Sequence, residues 1–329
     1  MGKISNSINH YLSDNRRFAD LFNGIFFQGE AVIHAEDLLE TSQIYHGTIG
    51  EAGKTGSRKE RIRDVCKLLK SGETLRVLAV ENQEMIDYGM PFRCMQYDVM
   101  EYGKQLDALR KKNRQENQLK TIAERICGIK RTDRIVPVYT LCLYHGTEPW
   151  DGPRSLGDMM NFECRKDIFR KIFKDYPLQL YCLNEARNLQ VFHTEVGVLF
   201  QALQYRKDRE GLKRLAESDS RYQQLDADTL ETLSVMLEWS SVWRQKERYI
   251  VKNMKNEEEY NMCQALREWA EEERSIGRME GHKEGRREGA DERTHTIVKN
   301  MLMRGMEDAD IMAIAECDQI FLDKVRMTL

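Results

Sequence analysis

Apolar positions in the first half of the chain alternate between helical and strand spacing. In 15–27 (NRRFADLFNGIFF), Phe18, Leu21, Phe22 and Ile25 fall on one side of a helix, which predicts a short amphipathic element. A polar, glycine-containing stretch follows and ends in 51–60 (EAGKTGSRKE), which reads as a mobile loop. Residues 61–83 carry two strand-compatible runs on either side of Lys70-Ser71-Gly72-Glu73, predicting a hairpin. Over 85–114, Met95, Val99, Tyr102, Leu106 and Leu109 form a helical stripe. The continuous apolar run 135–144 (IVPVYTLCLY) predicts a strand buried on both faces, and 178–183 (LQLYCL) a shorter one. From 193 onward the spacing is helical, through Leu199, Leu203, Leu225, Leu230, Leu233 and Leu237.

Strands and helices therefore mix in the first 190 residues and helices dominate afterwards, the pattern of an α/β core with a helical extension. In 266–292, Gly277, Gly281, Gly285 and Gly289 recur every four residues among charges. Each glycine costs a helix about 1 kcal/mol relative to alanine. The stretch reads as a solvated, marginal linker helix, or as a small-residue stripe for close helix–helix approach and self-association. Residues 294–329 resume apolar periodicity with Ile297, Met301, Ile311, Ile314, Phe321 and Val325, which predicts two or three small helices. A packing or oligomerisation module is the plainer reading; nothing marks the recognition helix that a DNA-reading helix-turn-helix needs.

Composition narrows the function classes. The 329 residues hold 51 Lys+Arg and 54 Asp+Glu, a formal net charge of −3, which excludes a uniformly basic nucleic-acid binder and an acidic disordered chain. No apolar window approaches the ~18 residues of a membrane span, and none of signal-peptide length opens the chain. A cytoplasmic protein without a membrane partner is expected. The eight cysteines show no Cys-x-x-Cys spacing, so buried reduced thiols are expected rather than a zinc ribbon. The near-zero charge hides local asymmetry. Lys54, Arg58, Lys59, Arg61 and Arg63 crowd 53–63, and ten Lys/Arg lie in 104–134 against Asp107, Glu116, Glu124 and Asp133. Basic clusters of this kind suit a DNA backbone, and equally suit solvated loops and helix ends.

The hairpin carries the candidate chemistry. With Ser71-Gly72 as a two-residue turn, Asp64 falls opposite Ala79 and Ile62 opposite Glu81. Side chains alternate along a strand, so Asp64, Glu81 and Gln83 project from one face, with Asp64 and Glu81 as diagonal neighbours. Two converging carboxylates can hold a hard divalent cation, Mg²⁺ or Mn²⁺. Val77-Leu-Ala-Val80 reads as buried, and a carboxylate at the end of a buried strand is costly unless paired or metal-bound.

Asp64, a hairpin and then Glu81-Asn82-Gln83 at a strand end resemble the PD-(D/E)xK nuclease superfamily. Phe18-Ala-Asp-Leu-Phe-Asn-Gly24, Val80-Glu-Asn-Gln83, Met90-Pro-Phe-Arg-Cys-Met-Gln-Tyr97 and Leu143-Tyr-His-Gly146 before Pro149-Trp150 extend the likeness over most of the chain. Together they resemble the Rpn family of recombination-promoting nucleases, the putative transposases of YhgA-like type. The resemblance implies a restriction-endonuclease-like mixed sheet flanked by helices over 1–200, an all-helical extension over 201–265, a charged linker helix over 266–293 and a small helical unit over 294–329. It implies that Asp64 and Glu81 hold Mg²⁺ (or Mn²⁺) and that Gln83, where the superfamily has lysine, positions the water.

Further residues enter around this core. Arg93 and Tyr97, four apart on one helix face, are candidates for phosphate contact beside Arg63, or an ordinary surface pair. Asp20 is either an extra ligand from the first helix or a solvent-facing carboxylate. His145 is either an acid–base group or a structural strand exit. The expected activity is Mg²⁺-dependent DNA endonuclease cleavage of low sequence specificity that promotes recombination, with DNA as partner and self-association through the C-terminal helices. The alternatives are a non-catalytic DNA-binding or self-assembling protein of the same fold, and a nuclease of defence against foreign DNA.

Overall fold

The computed structural model describes residues 3–41, 44–47, 59–71, 74–162, 168–252 and 258–327. The chain divides into two compact units, Met1–Ala265 and Leu266–Leu329. The first is mixed α/β. Helices α1 (Lys3–Tyr11) and α2 (Asn15–Phe27) precede strands β1 (Leu38–Glu40), β2 (Ile44–Gly47), β3 (Lys59–Ile62), β4 (Val65–Ser71) and β5 (Thr74–Gln83). Helices α3 (Met90–Gln115) and α4 (Ile122–Cys127) lead to β6 (Val138–Tyr144) and β7 (Gln179–Cys182). Helices α5 (Glu195–Gln204), α6 (Arg209–Ser218), α7 (Ala227–Met236) and α8 (Ser240–Arg244) follow, then the short strands β8 (Ile250–Lys252) and β9 (Glu258–Tyr260).

One five-stranded sheet, in the order β1-β4-β5-β6-β7, organises this unit. β1, β4 and β5 pair antiparallel, whereas β5-β6 and β6-β7 pair parallel. The parallel step from β5 to β6 needs a crossover, supplied by α3 and α4. On one face, Met90 and Cys94 of α3 pack with Cys142, Tyr144, Trp150 and Leu178. Cys66, Val77, Ala79 and Val138 form a second cluster on the β4-β5-β6 strands, with Tyr102 of α3 against it. The helix at 15–27 forms as its spacing predicts. Asp14 caps it by accepting from the amides of Arg16 and Arg17, and Phe18, Leu21 and Phe22 are at most 2% exposed. Burial of each such side chain contributes ~1.5–3 kcal/mol.

Several expectations are corrected. The hairpin pairs Val65 with Val80 and Ser71 with Thr74, so the register lies two residues from the expected one and Cys66, not Asp64, faces Ala79. Lys59 and Glu60, expected in a loop, belong to β3, which pairs with β2; residues 51–58 lie outside the described residues. The buried side of α3 is Met90, Cys94, Tyr97, Asp98 and Glu101, whereas Val99 of the expected stripe is 54% exposed. Residues 201–265 are not all-helical, because β8 pairs with β9. They also share one compact unit with 1–200: α1 packs against α7, and Arg17 pairs with Asp226 and Asp228 at 2.8 and 3.1 Å.

The second unit is helical. It holds most of α9 (Met262–Met303), followed by α10 (Asp308–Ala315) and α11 (Gln319–Arg326). Val298, Ile311, Leu322 and Val325 form its core. The four glycines at 277, 281, 285 and 289 lie inside α9, and among the described residues nothing stands within 4 Å of a Cβ added at any of them. None of the described cysteines is in a disulfide; Cys66, Cys94, Cys142, Cys182 and Cys263 are buried, and Cys127 is exposed. No helix among the described residues is long and apolar enough to cross a membrane.

Candidate active site

Glu81 sits near the end of β5, the longest strand, and its side chain is fully enclosed. Its register partners are β6 on one side, through Cys142, and the start of β4 on the other. Continuing the β4-β5 register one step past Val65–Val80 brings Asp64 across from Glu81. Asp64 stands just before β4, close enough for its charge to act on the Glu81 carboxyl. Asp64 is 8% exposed and is held by two donors: the Asn82 amide reaches Oδ2 at 2.8 Å, and Asn9 Nδ2 of α1 reaches Oδ1 at 3.1 Å.

Two arginines converge on Glu81. Arg63 Nε stands 3.9 Å from Oε1, and Arg93 Nη2 stands 3.5 Å from Oε2. They differ in setting. Arg63 is 0% exposed, and its Nη2 donates to Asp98 Oδ1 at 2.6 Å and to Thr140 Oγ1 at 2.9 Å. Thr140 donates to the same Asp98 oxygen, and the Tyr176 hydroxyl donates to Asp98 Oδ2, both at 2.6 Å. The Arg63 guanidinium also lies 5.3 Å from the Tyr97 ring centre. Arg63 is thus a core cation, and the expectation that it meets a DNA phosphate is corrected: an enclosed side chain fixed by Asp98 and Thr140 does not reach a backbone in solution. Arg93 is 32% exposed, bridges Glu81 and Asp87, and packs 5.9 Å from the Tyr97 ring centre, so the Arg93–Tyr97 pair does stand at the site.

The electrostatics follow from burial. Desolvation, then the neighbouring Asp64, push the Glu81 carboxyl up to about 8, against the opposing pull of Arg63 and Arg93. Burial also raises Asp64, with the Asn82 and Asn9 hydrogen bonds working the other way. Burial disfavours the charge on Arg93, but Glu81 and Tyr97 outweigh it and hold the guanidinium protonated.

Gln83 ends β5 and lines an open cleft of about 630 Å³ with Ser5, Asn82, Asp87 and Tyr88. The cleft reaches the strand end beside Glu81. Glu81 Oε1 and Asn82 Oδ1 are enclosed with no hydrogen-bond partner among the described residues. Glu81 Oε1 and the Asp64 carboxylate match the donor chemistry of a hard divalent cation, which completes its shell with water and substrate oxygens. Among the described residues no third Asp, Glu, His or Cys joins the pair, and the two arginines compete for the same carboxylate.

The remaining candidates lie elsewhere. Asp20 is 6% exposed and accepts from the His193 and Thr194 amides and the Thr194 hydroxyl, at 2.7–3.0 Å. It anchors the start of α5 and is neither an extra ligand nor a solvent-facing carboxylate. His145 follows β6 and donates its amide to Gln83 O at 2.9 Å; burial, then Arg206, lower its imidazole to about 4. Of the basic segment 104–134, Lys104, Arg110 and Lys130 pair with Glu101, Asp107 and Asp133 at 3.6, 2.9 and 3.7 Å. Lys54 and Arg58 lie outside the described residues. Sequence reasoning missed Asn9, Asp98, Thr140 and Tyr176, which meet the hairpin only through long-range contacts and carry no local motif.

No protein-family model matches the chain, and no curated protein or solved structure matches it.

Proposed function

We propose that the protein is a divalent-metal-dependent DNA endonuclease with a restriction-endonuclease-like core. The observation that carries this reading is the proximity of Asp64 to Glu81 at the end of a buried hairpin, with Glu81 Oε1 enclosed and without a hydrogen-bond partner among the described residues. In this reading Asp64 and Glu81 hold Mg²⁺ or Mn²⁺. Such an ion supplies Lewis acidity, polarising a phosphoryl oxygen and lowering the pKa of the attacking water. Asn9 and the Asn82 amide fix the Asp64 carboxylate by donating to its two oxygens. Gln83, on the cleft, orients the water by hydrogen bonding. An amide brings no charge, so Arg93, part-exposed at the rim, takes the lysine's electrostatic task and meets the phosphate as negative charge develops. Arg63 acts from inside as a positioning residue that aligns Glu81 against the Asp98 network.

Phosphate contacts carry no sequence information, which supports low specificity. A role for the resulting breaks in recombination, and self-association through 266–329, extend the same proposal from the sequence resemblance. A second reading, a DNA-binding protein of the same fold without cleavage, is favoured by one observation: Glu81 is closed off between two arginines. Plasmid nicking separates them. The first reading expects Mg²⁺- or Mn²⁺-dependent relaxation by the wild type that is lost in Asp64→Ala and Glu81→Ala. Salt-dependent DNA binding with no cutting by the wild type supports the second, and cleavage surviving both substitutions removes this site from the first.

A further inference from the structure

One residue beyond β6, alternation turns His145 away from Tyr144, which packs on the α3 side of the sheet, and toward the end of α5. There His145, Asn184 and Arg206 line a cavity of about 90 Å³ with Gly146, Gln204 and Lys207. His145 is 3% exposed, and neither ring nitrogen has a hydrogen-bond partner on another of the described residues. Among the described residues Arg206 Nε and Nη2 are enclosed and without partners too, as is Asn184 Oδ1. Leaving one such group unsatisfied costs about 1–3 kcal/mol, so five on three residues that line one small cavity point to an occupant.

The pattern of the vacant atoms defines that occupant. Arg206 Nη1 faces Glu84 Oε1 at 3.8 Å. That leaves the Nε–Nη2 edge, whose two N–H bonds run parallel and match two oxygens of one anion. His145 is held neutral by burial, so one ring nitrogen donates and the other accepts. Asn184 Oδ1 accepts only, because its amide nitrogen already donates to Glu148 O at 2.7 Å. Satisfying all five therefore takes acceptor oxygens for three N–H groups and hydrogens for two acceptors, the second imidazole nitrogen and Asn184 Oδ1. Three waters of about 30 Å³ each would fill the same space but would not answer the fork as one rigid group. Lys207, on the rim and 2.6 Å from Glu148 Oε1, adds a cation at the entrance; Glu84 and Glu238 are the acids that face Arg206.

We propose that this cavity is a phosphate-binding site, separate from the Asp64–Glu81 pair, that takes a protonated phosphate either as the free ion or as the terminal phosphate of a strand. A hydrogen phosphate offers oxygens to the Arg206 fork and the imidazole N–H and a hydroxyl to one of the two acceptors, the other being met by its second proton in the dihydrogen form or by a water. Sulfate at neutral pH has no proton to give and binds more weakly.

The test titrates inorganic phosphate into the full chain by calorimetry and follows the histidine ring ¹⁵N signals by NMR, with the His145 signal assigned by its loss in His145→Gln. Saturable heat and a shifting His145 signal are expected. Arg206→Lys, which keeps the charge and removes the fork, is expected to weaken binding about tenfold or more, and Arg286→Lys, at an exposed position of the second unit, to leave it unchanged. A 5′-phosphorylated trinucleotide that binds through Arg206 better than its unphosphorylated twin assigns the strand end; binding of phosphate alone assigns the free ion. A wild-type His145 signal unmoved by phosphate overturns the site, whatever the stability of the variants. Equal binding by Arg206→Lys, or equal binding of sulfate, overturns the assignment of the fork or of the protonated ligand.

Discussion

Asn9 Nδ2 donates to Asp64 Oδ1 across 55 residues of sequence, so the first helix of the chain fixes the carboxylate that faces Glu81. The same Asn9 accepts from Asn82 Nδ2, which ties α1 to both strands of the hairpin. Asn9→Ala leaves Asn82 Nδ2 and one Asp64 oxygen without these partners. The expected cost is about 1–2 kcal/mol in urea unfolding, accompanied by a fall in Mg²⁺-dependent cleavage.

The two arginines at Glu81 are expected to separate. Arg63→Met leaves Asp98 buried without its cation and Glu81 with Arg93 alone, and should cost about 3–5 kcal/mol of stability with or without Mg²⁺. Arg93→Lys keeps the charge at a part-exposed position, so stability should change by less than about 1 kcal/mol. Its single ammonium does not reproduce the guanidinium fork, and cleavage should fall about tenfold or more. Denaturation curves and nicking rates on the same preparations check both.

His145 sets a pH dependence whose sign is fixed by burial. Its folded value of about 4 lies below the ordinary 6.5, so its contribution to stability is complete above 6.5 and is lost as pH falls through 4. The loss is roughly 3 kcal/mol by the usual conversion of pKa difference to free energy. Unfolding in phosphate-free buffer between pH 7 and 4 should show that extra loss in the wild type and not in His145→Gln.

Glu81 is costly to keep charged. Glu81→Gln removes a buried carboxylate beside Asp64, so the metal-free variant should be more stable at pH 8 than the wild type, by about 1–3 kcal/mol. Mg²⁺ should then raise the melting temperature of the wild type and leave that of the variant unchanged.

Locally encoded features were legible in the sequence. The spacing of Phe18, Leu21 and Phe22 places α2, and the run to Tyr144 places β6, which starts three residues later than the apolar run. The hairpin was legible as a face but not as a register: moving the turn by one residue shifts every pair by two and leaves the alternation intact. Arg63 was not legible. Among neighbouring basic residues it reads as surface, and the partners that bury it, Asp98 and Thr140, lie 35 and 77 residues away. The α3 stripe failed for the same cause. The face that meets Arg63 carries Asp98, so counting apolar residues selects the wrong side. Asp20 reads from sequence as an extra ligand or a solvent-facing carboxylate, yet it accepts from the amide of His193, 173 residues on, ahead of α5.

Metal binding itself is the most direct measurement of the central claim, that Asp64 and Glu81 together hold one divalent ion. Mn²⁺ titrated into the full chain, followed by the loss of the free-ion electron paramagnetic resonance signal, reads occupancy without requiring cleavage. Saturable binding by the wild type that weakens at least about tenfold in both Asp64→Asn and Glu81→Gln is the expected result. Wild-type affinity retained in both variants, or no saturable binding by the wild type at millimolar Mn²⁺, would contradict it.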